Sequence, residues 1–484
     1  MTSMLADRPP LQAGPAALPE LASFLEPFAK CFRRAANRRI LERYLVGLLA
    51  EVPHKDCSRL AAVIEGVTGQ NFQDFLTSTP WDFEAVNRER VSLLMASAHF
   101  GPGVLIFDDT GFVKQGKHSV GVDRQYSGTL GKVGNCQVVV GCHYADDKAN
   151  WPVNARLYLP ESWANDPDRR FEAQIPAEVV FQTKVEMALA LLDQARAWGV
   201  GHEAVTADSG YGDNPAYQEG LEARQERYVV EVAKDFGVRL PEEVARAAAV
   251  PLPAGPQRGR PRTHPHPSQV APRHTVGAVT GSLPEKAWQT ITWREGSKGE
   301  LQAQFAAVRV QRAVEDRTGP EYWLIGQRPL PNQEGDRRWF VSNYPVDAPL
   351  ERMVEVGHYR WPIELYYKDG KALGLDDYQG RFWRGLHRHL ALVMLIASWL
   401  VIERLAEMNS PEVSAEGLAM EDPPESTCLG GSGDAGASAA EATNPNSPGP
   451  ATPSAPDAEG AFPPSGGNRK GGNSEASEQA RSDH

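Results

Sequence analysis

The sequence predicts an α/β fold, on three observations. Apolar runs of strand length twice end in carboxylates, at Asp108-Asp109 and at Asp208. Helical spacing with a capping signature separates those two runs. A strand-rich stretch then intervenes before helical spacing returns around Glu364.

Residues 1–20 are expected to be disordered. From Leu21 to about Met95 apolar residues recur at helical spacing, at Ile40, Tyr44, Leu45 and Leu48, beside a basic run of Arg33, Arg34, Arg38 and Arg39. This predicts a helical domain over 21–98 whose arginines suit either a nucleic-acid backbone or a solvated helix face. Val104-Leu105-Ile106-Phe107 reads as a buried strand ending at Asp108 and Asp109. Asn135–Ala145 and Trp151–Leu159 flank a turn-like segment and predict an antiparallel hairpin. Thr183 and Glu186 match a capping box, Val185, Ala188, Leu189, Leu192 and Ala195 follow at helical spacing, and Gly199 is placed to stop the helix. A strand Ala204–Ala207 runs into Asp208 and the turn Ser209-Gly210-Tyr211-Gly212; a helix Pro215–Arg224 and a strand Tyr228–Val232 follow. Three strands, a helix, a strand, a helix and a strand is the order of a ribonuclease H-like α/β core, its first part expected over 99–235. Residues 236–354 open Pro-rich and continue with strands including Ala303–Val310, Tyr322–Ile325 and Trp339–Val341, which predicts a β-rich insertion. The second part of the core, 355–408, is expected to carry Glu364 on a helix and an apolar helix Leu390–Ile402, too short to span a bilayer. Beyond it, Gly, Ser, Pro, Ala and Glu dominate and predict a disordered acidic tail over 409–484.

The net charge of −12 is concentrated: residues 410–484 hold 12 Asp and Glu against 3 Lys and Arg, a net of −9 that leaves −3 for residues 1–409. A near-neutral body still holds DNA where its cations share a face, because phosphate attraction is local and screened beyond about 8 Å at physiological salt. Cys31, Cys57, Cys136, Cys142 and Cys428 show no CxxC pair and no zinc-finger spacing, so neither disulfides nor structural zinc is expected. With no basic start followed by an apolar run at the N-terminus, the expected setting is a reducing cytoplasm without a membrane.

Asp108 and Asp208 each stand where an apolar strand ends, partly desolvated yet facing a cleft. Two such carboxylates call for a neighbouring Lys or Arg or for a divalent cation, and oxygen ligands select Mg²⁺ or Mn²⁺. A third acid on a helix, Glu364, completes a site for two ions about 3.5–4 Å apart, one activating water or a DNA 3′-hydroxyl and the other holding the leaving oxygen. Either Asp alone also fits a turn or cap, so the combination carries the reading. Around Glu364, helical spacing puts Arg360, Glu364, Lys368 and Lys371 on one face, which suits phosphate binding or ordinary i, i+4 ion pairs. Lys114, Lys117, His118, Arg124 and Lys132 crowd the segment after the first acid strand and suit a DNA backbone or a solvated loop. Arg258-Gly259-Arg260-Pro261-Arg262 suits a minor-groove hook or a linker.

Arg360, three intervening residues, Glu364, six intervening residues and Lys371 match a spacing found in cut-and-paste insertion-sequence transposases of the DDE superfamily. The chain resembles the group of that family with a Y-R-E-K signature and a β-strand insertion before the catalytic Glu. Here Tyr359 directly precedes Arg360, where the signature has two residues between them. The resemblance extends through Asp108-Asp109-Thr110-Gly111-Phe112, the stretch Lys114–Val122, Arg124-Gln125-Tyr126, Asn135-Cys136-Gln137, Ala207–Gly212 and Gly374–Tyr378. It implies a ribonuclease H-like fold with Asp108, Asp208 and Glu364 as catalytic metal ligands for Mg²⁺ or Mn²⁺, two ions in all. Asp109 is the alternative first acid; Asp108 is favoured because it continues the apolar run and its Asp-x-Thr pattern resembles the family's first-acid motif. DNA contacts are expected from Arg360, Lys368, Lys371, Lys114, Lys117, Arg124 and Trp293, the last stacking on a flipped base or packing in the core. The implied partners are double-stranded DNA with terminal inverted repeats, target DNA and a second copy in a homodimeric DNA complex, in a bacterial cytoplasm at the nucleoid. A nuclease that cuts without joining and a non-catalytic DNA-binding protein derived from a transposase stay open; the latter usually lacks one acid, and all three stand here. A glycosidase pair fits less well, because Arg and Lys flank Glu364.

Overall fold

The computed structural model describes residues 18–96, 101–128, 131–251, 266–296, 299–331 and 333–408. All belong to one compact unit, Met1–Thr427; the second unit, Cys428–His484, the tail from residue 409 and the Arg258–Arg262 run lie outside the described residues.

The amino-terminal helices are Pro19–Leu25, Ala35–Leu49, Cys57–Val63, Gly69–Thr77 and Phe83–Ala96. The first of them starts inside the stretch expected to be disordered, at Pro19, because Leu21 finds a fully buried place in the core. Tyr44, Leu45 and Leu48 are buried as their spacing predicts, while Arg33, Arg34, Arg38 and Arg39 are all exposed.

The strands are β1 (Gly103–Val113), β2 (Asp123–Ser127), β3 (Lys132–Ala145), β4 (Asn150–Leu157), β5 (His202–Ala207), β6 (Tyr228–Val232), β7 (Gly237–Arg239), β8 (His274–Thr275), β9 (Gln289–Gly296), β10 (Gly299–Val314), β11 (Arg317–Arg328) and β12 (Arg338–Ser342). They form one mixed sheet in the order β2-β3-β1-β5-β6-β12-β11-β10-β7-β8, with β4 added on β3 and β9 on β10. β1, β5 and β6 run parallel, and β3 lies antiparallel to β1. One expectation is corrected here. β1 does not stop at the acids: its pairing with β3 continues from Asp108 opposite Gly141 to Val113 opposite Cys136. The strands of the segment 236–354 join the central sheet, because β12 pairs with β6 and continues it into β11 and β10.

The helix Lys184–Ala197 starts on the predicted capping box, with the Thr183 hydroxyl accepting from Glu186 N–H (3.2 Å) and Glu186 accepting from Thr183 N–H (2.7 Å). It ends at Gly199, whose φ of +77° costs a glycine nothing. The carboxy-terminal helix is Trp383–Met408, twice the length of the expected Leu390–Ile402. By length and composition it could cross a membrane, but most of its apolar window is buried inside this fold. It packs on Phe83–Ala96 and on β4, where fully buried Arg90 ties the three together. The guanidinium donates to the carbonyls of Pro152 (2.5 Å) and Val153 (2.7 Å) and to Ser398 Oγ (3.0 Å).

Four imidazoles are enclosed in this core. Nδ1–H of His387 donates to Trp383 O (2.9 Å), and its Nε2 accepts from Leu157 N–H (3.3 Å). Nε2–H of His389 donates to Gly374 O (2.7 Å), and its Nδ1 accepts from the Tyr44 hydroxyl (2.8 Å). A second proton on His387 or His389 would face a donor, and on His143 or His358 it would find no partner; burial pushes all four down to about 4. In the unfolded chain the value is about 6.5, so between these two values the unfolded state binds more protons. Their contribution is therefore complete above about pH 6.5 and is lost as pH falls toward 4, at about 1.4 kcal/mol per histidine per pH unit. We expect the urea midpoint to drop between pH 7 and pH 5; a constant midpoint would show that these rings are already solvated or charged.

Candidate active site

Register alone assembles the first part of the site. Phe107 of β1 lies beside Ala207 of β5, and Ala207 beside Val230 of β6. All three side chains sit in the same hydrophobic cluster, on one face of the sheet. The next residue on each chain is a carboxylate: Asp108, Asp208 and Glu231. Alternation turns Asp108 and Glu231 to the opposite face, on strands separated by steps of about 4.8 Å, while Asp208 leaves β5 at the start of the turn Ser209–Gly212.

Over this row stands Arg360, at the N-terminus of the helix Trp361–Ala372. Pro362 in the first turn sets the helical start, and i, i+4 spacing brings Glu364 within 2.5 Å of the guanidinium. The same group lies 3.7 Å from Asp108 Oδ2 and 3.7 Å from Glu231 Oε2. Three carboxylates thus share one guanidinium, with Asp208 near enough to add to its field. Burial and then the neighbouring Asp208 push the Asp108 carboxyl well above its usual range, against the pull of Arg360. Burial also raises Asp208, whose Oδ1 is enclosed and has no hydrogen-bond partner. Burial alone would lower Arg360, but Glu364, Asp108, Glu231 and Asp208 together raise it.

Asp109 points the other way. Its Oδ2 takes an ion pair from Lys184 (2.9 Å), the first residue of the capping-box helix, and lies 3.5 Å from the Tyr211 hydroxyl. Beneath Asp108, the Tyr367 hydroxyl donates to the Asp108 carbonyl (3.0 Å). It reaches that carbonyl because its neighbour across β3 is Gly141, where a Cβ would come within 2.6 Å of the hydroxyl oxygen.

The other expected contacts divide. Lys117, Arg124 and Lys368 are exposed. Lys371 is half-buried near Asp376, and burial lowers its pKa. Lys114 is turned inward, its ammonium donating to the carbonyls of Asp376 (2.9 Å) and Tyr378 (2.8 Å), so it does not join the exposed cations of its loop. Trp293 is half-buried and stacks on His358 with centroids 4.1 Å apart, while Arg294 lies over Trp361 at 4.7 Å. These aromatics line a cavity of about 510 Å³ together with His143, Tyr359 and Tyr366. Tyr359 donates to Asp147 and takes no part in the acid cluster. Sequence reasoning missed Glu231, Lys184, Tyr211 and Tyr367. The one signal for Glu231 was a lone acid in the strand Tyr-Val-Val-Glu-Val, uninformative until its register was fixed.

Among the described residues no three carboxylate, imidazole or thiol groups stand together closely enough to hold a metal ion as placed. The reason is Arg360, which fills the space between Glu364 and the sheet acids. The donor chemistry nonetheless fits a hard cation: Asp108 and Asp208 are adjacent, both desolvated, and Asp208 carries an unsatisfied carboxylate oxygen.

The family described as DDE superfamily endonuclease matches residues 27–300, more than half of the chain and a span that contains Asp108, Asp208 and Glu231. The chain belongs to that superfamily. A protein from Microchaete diplosiphon described as a probable transposase for insertion sequence element IS701 is 30% identical over 173 residues, 36% of this chain and 43% of that protein. The chain thus matches under half the length of this curated relative.

Proposed function

We propose that this chain is a transposase that cuts DNA at the ends of an insertion sequence and joins those ends to target DNA. The observation that carries the reading is the carboxylate row on adjacent parallel strands with Glu364 above it on a helix, bridged by Arg360. The strand order β4-β3-β1-β5-β6, with three antiparallel strands followed by two parallel ones, supports a ribonuclease H-like core. The relative's description as a probable transposase favours joining as well as cutting.

In this reading Asp108, Asp208 and Glu364 hold Mg²⁺ or Mn²⁺, two ions, which when bound polarise the phosphate and lower the pKa of the attacking water or 3′-hydroxyl. Asp108 is the first acid, because it shares Arg360 with Glu364, whereas Asp109 is held by Lys184 on the other face. Tyr367 fixes the Asp108 backbone, so the carboxylate is presented at one position. Arg360, Lys368 and Lys371 flank Glu364 with cations suited to the phosphates on either side of the scissile bond, and Lys117 and Arg124 offer further backbone contacts. Trp293, at the cavity beside the same helix, is the candidate to stack on a base. The DNA partners are terminal inverted repeats and a target duplex, held by a homodimer in the bacterial cytoplasm at the nucleoid. A nuclease that cuts without joining is the second reading, since its site needs the same acids. Oligonucleotides that mimic already cleaved ends separate the two: with Mg²⁺ or Mn²⁺ we expect joined products, and none with EDTA. Cleavage of intact ends without any joining of pre-cut ends would favour the nuclease.

A further inference from the structure

We infer that Glu231 is a positioning residue that holds Arg360 away from the catalytic acids when they turn to a metal ion. The inference rests on the metal-dependent reading above. Arg360 keeps its positive charge at every working pH, and in this structure it makes ion pairs with Glu364, Asp108 and Glu231. Two of those partners are the proposed metal ligands. A divalent cation drawing Asp108 and Glu364 to itself would leave a guanidinium within a few ångströms of two like charges, which is unfavourable in a desolvated cleft. Arg360 then needs an acid that is not a ligand. Among the described residues Glu231 is the remaining carboxylate within 4 Å of it.

The placement of Glu231 suits this role. It lies on β6, two strands from Asp108 on β1 and so about 10 Å away across the backbone. An arginine settling toward Glu231 therefore moves toward β6 and opens the Asp108 side. The anchor itself is rigid: β6 is inside the sheet, with Glu231 paired opposite Phe340 of β12. A mobile surface acid would not fix the guanidinium in this way.

The test is Mn²⁺ binding to the full-length, DNA-free protein, followed as loss of the free-ion paramagnetic resonance signal. We expect Glu231→Gln to weaken Mn²⁺ binding about tenfold or more, as removal of residues that orient metal ligands commonly does. In an Arg360→Gln background the same substitution should change affinity less than about twofold, because the cation it controls is gone. Glu231→Asp, which keeps the charge on a shorter arm, should lie between wild type and Glu231→Gln and serves if the Gln variant does not fold. Unchanged affinity in Glu231→Gln overturns the inference while leaving the three-acid site standing. An equal loss with and without Arg360 also overturns it, because Glu231 would then act as a ligand or a structural residue. Failure of the wild-type protein to bind Mn²⁺ at all would overturn the metal reading and this inference with it.

Discussion

Replacing Glu364 with Gln is expected to leave binding to element ends nearly intact while lowering both nicking and joining on the order of 10³-fold or more. The amide keeps the volume of the side chain and can still accept from Arg360, so the helix Trp361–Ala372 stays in place. What it loses is the charge that, in the proposed reading, helps hold a cation. Asp208→Asn and Asp108→Asn should behave alike, and Asp109→Asn should be milder, because Asp109 is committed to Lys184 on the opposite face. Gel-shift affinity and single-turnover cleavage on the same fragment separate the two effects. Weak binding with a normal rate at saturation would make Glu364 an ion-pair residue and remove the third acid.

A second large effect is expected at Gly212. It closes the short turn that follows Asp208, with its N–H donating to the Asp208 carbonyl (2.8 Å). A Cβ at this position would overlap the backbone carbonyl oxygen of Glu231, and backbone in the middle of a sheet cannot yield as a side chain can. Gly212→Ala should therefore destabilise the fold by about 2–3 kcal/mol and shift Asp208 relative to Glu231. Gly201→Ala is the control, since nothing lies within 4 Å of a Cβ there. Calorimetry should show a lower Tm for Gly212→Ala alone. Equal melting of the two variants would mean that the turn does not press on β6 as described.

Local signals made much of this fold legible. The capping box at Thr183, the apolar run before Asp108 and the Ala204–Ala207 strand were all visible as residue patterns, and each is where it was expected. The limits were non-local. Nothing in the run Val104–Phe107 shows that β1 continues to Val113, because the continuation depends on six partners supplied by β3, from Gly141 to Cys136. The insertion was readable as β-rich, but its attachment through Phe340 and Val341 to β6 is a pairing across more than a hundred residues. The ion pairs on which the proposal of Asp108 over Asp109 rests were not legible, because neither Lys184 nor Arg360 lies near these acids in sequence. Lys114 looked like its exposed neighbours Lys117 and Arg124 because burial beneath Asp376–Tyr378 is set by the fold alone.

The central claim is that a divalent cation sits among Asp108, Asp208 and Glu364. It is tested most directly by loading the full-length protein with Fe²⁺ and triggering hydroxyl-radical cleavage with ascorbate and peroxide, then mapping the cut sites. The account predicts backbone cuts clustered near residues 108, 208 and 364, all suppressed by excess Mg²⁺ and absent in Asp208→Asn. Cuts elsewhere in the chain, or cuts at these positions that survive Asp208→Asn, would contradict it.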